Sequence, residues 1–153
     1  MALGKVIFLD RDGVINFDSP DYIKSWAEYR FLPRSLEALA ALTVSGYDLI
    51  VITNQSIVGR GIVPLAVLED THRRMLQAVA AAGGRIIDIL YCPHRPDEDC
   101  SCRKPRPGMI LRARERHRID LSLAVMIGDN VKDMECGRNA AVVQRSWCAP
   151  AAV

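Results

Sequence analysis

The sequence predicts an α/β protein, a three-layer αβα sandwich around a mostly parallel, Rossmann-like sheet. Three observations carry this reading. Short runs rich in Val, Ile and Leu alternate with longer segments of helical period, the signature of βαβ units. The runs are apolar almost throughout, which implies burial on both faces of the sheet. Polar or glycine-containing turns follow them. In chain order, Lys5–Leu9 is the first strand. Pro33–Ser45 reads as a helix, with proline at its start and Gly46 just past its end, as helix termini prefer. Asp48–Thr53 is the second strand, and Pro64–Ala82, followed by Gly83 and Gly84, the second helix. Ile86–Tyr91 and Leu123–Ile127 are the third and fourth strands, with helices expected over Pro107–Arg118 and Val131–Asn139. A fifth strand is expected around Ala141–Arg145.

At 153 residues the chain has the length of one core, so 1–153 is expected to form a single domain. Hydrophobic residues at 50% and charged residues at 25% exclude disorder for most of that length. A net charge of +2 is too small for nucleic-acid binding through the whole surface. No apolar run approaches the roughly 18–20 residues that span a bilayer. Five cysteines cannot all pair, and Met1–Leu9 is too short for a secretory leader before Asp10 interrupts it, so a reducing cytoplasm is expected.

Sheets of this kind bind ligands at the carboxyl ends of their strands. The polar residues gather there: Asp10-Arg11-Asp12-Gly13 after the first strand, Thr53-Asn54-Gln55 after the second, Cys92-Pro93-His94 after the third, Gly128-Asp129-Asn130 after the fourth. While extended geometry persists, Asp10 and Asp12 point to one side and Arg11 to the other. Two close carboxylates repel, so the pair suggests a hard metal ion, a general acid, or both; a solvated Asp-Gly turn is the plainer reading. Asp129 and Asp133 add carboxylates at a helix start, where Asp is also an ordinary cap. Thr53-Asn54-Gln55-Ser56 offers uncharged hydrogen-bonding groups suited to phosphoryl oxygens. Lys104 lies in a turn stiffened by Pro105 and Pro107. Neither a GxxxxGK[ST] nor a GxGxxG pattern is present, so ATP or dinucleotide binding has no support.

Cys92, His94, Cys100 and Cys102 supply three thiols and an imidazole within eleven positions, the ligand set of a four-coordinate structural zinc. Four protein ligands leave no open position, so the ion is expected to brace the 92–102 loop. Cys136 and Cys148 are left without a role.

Together, Ile7-Phe8-Leu9-Asp10-Arg11-Asp12-Gly13, Thr53-Asn54-Gln55, Lys104 and Gly128-Asp129 resemble the haloacid dehalogenase-like phosphatase superfamily. The zinc loop running into Arg103-Lys104-Pro105-x-Pro107-Gly108-Met109 resembles its histidinol-phosphate and heptose-bisphosphate phosphatase branch, over roughly Val6 to Gly137. The resemblance implies a Mg²⁺-dependent phosphatase with catalytic residues Asp10, Asp12, Thr53 and Lys104. Asp10 becomes the nucleophile that carries the phosphoryl group, and Asp12 the acid and then base. Mg²⁺ is held by the carboxylates of Asp10 and Asp129 and the main-chain carbonyl of Asp12, with Asp133 in support. Thr53 and Lys104 take the phosphoryl oxygens. Substrate contacts fall on Asp18, Ser19, Pro20 and Asp21, on Thr53, Asn54, Gln55 and Ser56, and on Arg103 beside Lys104. The implied substrate is a phosphorylated sugar, a heptose bisphosphate of lipopolysaccharide synthesis that loses its 7-phosphate to give heptose 1-phosphate. Neither nucleic acid nor membrane is expected as a partner, and a monomer is expected.

The large cap domain of many relatives has no room here: 31 residues lie between Asp21 and Thr53 and read as loop, helix and strand. The rim is expected from Asn16–Leu32, with Tyr22, Trp26 and Tyr29, although such aromatics more often pack in cores. Where relatives tend to carry lysine after Gly-Asp, this chain has Asn130. Histidinol phosphate is the alternative substrate, and Arg103 favours the more anionic one. A zinc-braced non-catalytic binding module, with RNA as one candidate ligand, and a receiver-like phosphoacceptor are rivals. Arg112, Arg114, Arg116 and Arg118 are basic without interleaved aromatics, and Asp12 argues for hydrolysis over storage. Residues 95–118 carry a local +4, placed so that basic charge accompanies the zinc loop while acidic charge gathers at the strand ends.

Overall fold

A computed structural model of the chain describes residues 3–148. Five strands form one sheet: β1 (Val6–Leu9), β2 (Asp48–Asn54), β3 (Ile86–Cys92), β4 (Val125–Gly128) and β5 (Gln144–Trp147). Their order is β3-β2-β1-β4-β5, and every neighbouring pair is parallel. Four helices connect them: α1 (Ser35–Val44), α2 (Leu65–Ala81), α3 (Gly108–His117) and α4 (Val131–Asn139).

Alternation along the strands builds the layers. Ile7 and Leu9 of β1 and Leu49 and Val51 of β2 pack with Leu39 of α1 and Met75 and Val79 of α2. Val6, Phe8, Ile50 and Ile52 pack on the other face with Met109, Ile110 and Ala113 of α3 and Cys136 of α4. Residues Leu49–Ile52 are all at 0% exposure, which explains their unbroken apolar run. Truncating such a residue to alanine costs about 2–5 kcal/mol. The expected three-layer sandwich is therefore present.

The chain winds outward from β1 in both directions, so the strand order reverses between β2 and β4. Register makes that point a site. Leu9 lies beside both Val51 and Ile127, so the next residues of β1 and β4 and the end of β2 emerge at one edge. From β1 to α1 the chain is loop, with one 3-10 turn at Trp26–Glu28, and no inserted domain stands there.

Two expected strands are displaced. β4 begins at Val125 because Leu121–Leu123 is a 3-10 turn, capped by the Asp120 side chain accepting from Ser122 N–H, with Leu123 exposed. β5 begins three residues later than expected because Ala141 takes a left-handed conformation, φ 66°, which breaks extended geometry. Its four residues are all exposed, so no hydrophobic alternation marked them.

Candidate active site

The edge at the strand reversal opens into a cleft of ≈ 360 Å³. Asp10 follows β1, Asn54 ends β2, Asp129 follows β4 and Lys104 arrives from the loop before α3; all four line it.

Lys104 is the hub. Its Nζ donates to Asp10 Oδ1 at 2.9 Å, Asp133 Oδ1 at 2.7 Å and the Ile52 carbonyl at 3.0 Å. Its backbone N–H donates to Asn54 Oδ1 at 3.0 Å, and Asn54 Nδ2 donates back to the Lys104 carbonyl at 3.2 Å. Burial alone would neutralise the ammonium, but the two carboxylates outweigh it and hold Lys104 above the ordinary lysine range. Asp10 moves up to about 7. Burial dominates, Lys104 pulls it back, and Asp133 and Asp12 push it up again. Asp133 has no free oxygen, since Oδ2 accepts from the N–H groups of Asp129 and Asn130 at the start of α4. It is both a helix cap and a lysine partner.

Glycines allow this approach. A Cβ at Gly128 would overlap the Asp133 side chain, and one at Gly13, where φ is 83°, would overlap the Asp129 carboxylate.

Oxygens of Asp10, Asp129 and Asp133 lie within 4.8 Å of one another. Three carboxylates face one ammonium, and burial and Asp133 raise the Asp129 pKa. That excess negative charge fits a hard cation. Asp133 is committed elsewhere, so Asp10 and Asp129 are the carboxylates free to ligate.

Asp12 belongs to a different set. The chain turns after Asp10, with the Arg11 carbonyl accepting from Val14, Ile15 and Asn16 N–H. Arg11 was expected to face away from both carboxylates; with the strand ended, it instead folds back on Asp12. Its Nε and Nη2 donate to Asp12 Oδ1 at 3.1 and 2.9 Å, Asn16 Nδ2 donates to the same oxygen at 2.9 Å, and Gln55 Nε2 donates to Oδ2 at 2.9 Å. Burial raises the Asp12 pKa, but the Arg11 charge and these donors outweigh it, leaving Asp12 below the usual carboxylate range.

Four donors gather at the second centre. His94 Nδ1 lies 3.4 Å from Cys92 Sγ and 3.2 Å from Cys102 Sγ, while Cys92 Sγ lies 3.8 Å from Cys100 Sγ and 3.0 Å from Cys102 Sγ. Tetrahedral zinc with sulfur at about 2.3 Å sets edges near 3.8 Å, so the cluster can bind zinc with modest spreading. The loop is tied to the cleft. Gln55 N–H donates to the Cys92 carbonyl at 2.7 Å, Gly59 N–H to the Pro93 carbonyl at 3.0 Å, and Arg103 Nη1 to the His94 carbonyl at 3.3 Å.

Of the expected substrate contacts, Asp18, Ser19, Asn54, Gln55, Ser56, Arg103 and Lys104 line the cleft, whereas Pro20, Asp21 and Thr53 do not. Thr53 is buried, and its Oγ1 accepts from Gln55 Nε2 at 3.0 Å. Of the expected rim aromatics only Tyr22 reaches the cleft; Trp26 stacks on Tyr29 with centroids 5.0 Å apart, and Phe31 packs edge-on to both. Sequence reading missed Arg60, Lys132 and His72, and placed Asn16 on the rim rather than against Asp12. Arg60 and Lys132 line the cleft, and only their charge could have flagged them.

A family model described as HAD-hydrolase-like matches residues 101–142. The D-glycero-β-D-manno-heptose-1,7-bisphosphate 7-phosphatase of Pseudomonas aeruginosa is 48% identical over 133 residues, covering 87% of this chain and 75% of the relative. The chain belongs to the haloacid dehalogenase-like phosphatase family. A relative of the same name from Bordetella bronchiseptica is 41% identical over 146 residues, covering 95% of this chain and 78% of its own. The crystal structure of D,D-heptose 1,7-bisphosphate phosphatase from B. bronchiseptica, complexed with magnesium and phosphate, superposes with a TM-score of 0.87 at 40% identity, covering 94% of this chain and 78% of that one. As a haloacid dehalogenase-like phosphatase, the chain is a phosphoric monoester hydrolase. Among its described residues no helix is long and apolar enough to cross a membrane.

Proposed function

We propose that this phosphatase removes the 7-phosphate of D-glycero-D-manno-heptose 1,7-bisphosphate through an aspartyl-phosphate on Asp10. The observation that carries the reading is the Lys104 ammonium held against Asp10 beside Asp129, because a carboxylate attacking a phosphate is anion against anion. Asp10 and Asp129, with the Asp12 carbonyl, would hold Mg²⁺, which when bound supplies charge neutralisation at the phosphoryl oxygens.

The chain's own groups carry the rest. Lys104 holds the equatorial oxygens, where charge builds during in-line transfer. An Asp10 oxygen bonds to phosphorus as the bond from phosphorus to the sugar oxygen breaks. That departing oxygen takes a proton from Asp12. A phosphate dianion beside Asp12 raises its affinity for that proton, offsetting Arg11. Asp12 then removes a proton from water, whose oxygen displaces Asp10 and releases inorganic phosphate. Asp18, Ser19 and Arg103 face the sugar and its second phosphate, and Pro20 and Asp21 shape that loop. The reaction proceeds in the cytoplasm, by a monomer, on a free sugar phosphate rather than on nucleic acid.

Phosphate release from heptose 1,7-bisphosphate, fructose 1,6-bisphosphate and histidinol phosphate, with and without Mg²⁺, tests this. The heptose should be turned over fastest, only with Mg²⁺, and not at all by Asp10→Asn. Equal rates for wild type and Asp10→Asn would sink the mechanism, and faster release from histidinol phosphate would overturn the substrate.

A further inference from the structure

The buried face behind Asp12 holds a polar chain that does not touch the reacting atoms. Arg11 is 1% exposed and His72 of α2 is 5% exposed. Arg11 Nη1 lies 3.1 Å from His72 Nε2, across 61 positions of sequence. A guanidinium has no acceptor, so His72 Nε2 must accept, which requires the neutral ring with its proton on Nδ1. Burial, then the Arg11 charge, hold the His72 pKa down at about 3, in agreement with that tautomer. The Tyr29 ring lies against the guanidinium, its centroid 5.7 Å from Cζ. The guanidinium is thus gripped at Nη1, packed on one face, and aimed by Nε and Nη2 at one oxygen of Asp12.

We infer that His72 is a positioning residue for Asp12, acting through Arg11. By accepting from Nη1 it fixes the guanidinium, which with Asn16 places three donors on Asp12 Oδ1. Oδ2 keeps only Gln55 Nε2 and is the oxygen that gives the proton to the departing sugar and later takes one from water. Freed of His72, the guanidinium can swing, and Asp12 loses its fixed orientation. This rests on the role of Asp12 proposed above.

The test compares kcat/KM for the heptose bisphosphate, whose alkoxide leaving group needs a proton, with p-nitrophenyl phosphate, whose leaving group does not. His72→Phe keeps the ring volume without an acceptor, and His72→Gln keeps an acceptor. His72→Phe should lose about tenfold in kcat/KM on the sugar phosphate and less than about twofold on the aryl phosphate. His72→Gln should restore the sugar-phosphate rate to within about threefold. An equal loss on both substrates, or no loss in His72→Phe, overturns the inference; should His72→Phe not fold, His72→Met is read by the same ratio. Asp12→Asn separates the two layers. If it keeps the wild-type ratio, the role of Asp12 itself fails; if it shows the selective loss while the His72 variants do not, only the inference fails.

Discussion

Replacing Lys104 with methionine removes the cation that Asp10 and Asp133 share. Nζ lies 2.9 and 2.7 Å from their Oδ1 atoms, and Lys104 is 3% exposed. At an effective dielectric of about 20, each contact is worth roughly 6 kcal/mol of gross attraction. Most of that is offset by the cost of burying the charges. What truncation exposes is two neighbouring carboxylates without a counter-ion, a penalty of about 3–5 kcal/mol. Asp10 limits the loss. It titrates at about 7 even beside the lysine, so it takes up a proton once the ammonium is gone. The expected cost at pH 7 in Mg²⁺-free buffer is therefore about 3 kcal/mol, a fall of roughly 6–12 °C in Tm for a chain of this size. Phosphate release, measured with Mg²⁺, should drop at least about 10²-fold, since a donor to the phosphoryl oxygens is lost. Urea unfolding of wild type, Lys104→Met, Asp133→Asn and the double variant measures it, with a coupling of at least about 1 kcal/mol between the two sites. A Lys104→Met protein within about 0.5 kcal/mol of wild type, or strictly additive variants, would refute this electrostatic account.

Three further outcomes are expected. Gly13→Ala forces a side chain into φ 83° and onto the Asp129 carboxylate, whereas Gly46→Ala, at φ 91°, meets nothing within 4 Å. Both should lose about 1–2 kcal/mol from strain, but only Gly13→Ala should raise the Mg²⁺ concentration for half-maximal rate, by at least about tenfold; equal Mg²⁺ curves would contradict the geometry. Chelation of zinc, or Cys102→Ser, should lower Tm and phosphate release together, because Arg103 and Lys104 follow Cys102 directly and Gln55 hangs from the Cys92 carbonyl; metal analysis that finds no zinc in unchelated protein would remove the premise. His72 titrates at about 3 when folded, against an ordinary 6.5, so between those values the unfolded chain binds a proton that the folded one refuses. Its contribution is complete above pH 6.5 and is lost as pH falls toward 3, amounting to roughly 2–3 kcal/mol by pH 4.5. The stability of His72→Gln should fall by that much less than wild type between pH 7 and 4.5, and parallel curves would show that His72 is not held neutral.

Legibility followed the range of the forces involved. Asp10, Asp129, Lys104 and the cluster of Cys92, His94, Cys100 and Cys102 could be read because each sits at a fixed offset from an apolar strand or from another member of its set, and strand ends are where a parallel sheet exposes polar groups. The Leu49–Ile52 run announced its own burial. β5 was misplaced because Gln144–Trp147 has no buried face to leave a period; it is a strand because α4 delivers it beside β4. Thr53 was expected at the phosphate and lies buried, its hydroxyl taken up by Gln55.

The sequence by itself determined the layer architecture, the edge at which the chemistry collects and the two residue sets that could hold metal ions, because hydrophobic period and short ligand spacings are local properties of the chain. Only the tertiary structure decided how the charges are partnered. Lys104 meets Asp133 across 29 positions, and Arg11 meets His72 across 61. No periodicity encodes such pairs. They form because burial removes water as the alternative partner, leaving each charged group to find its counterpart wherever the folded sheet and helices bring one within reach.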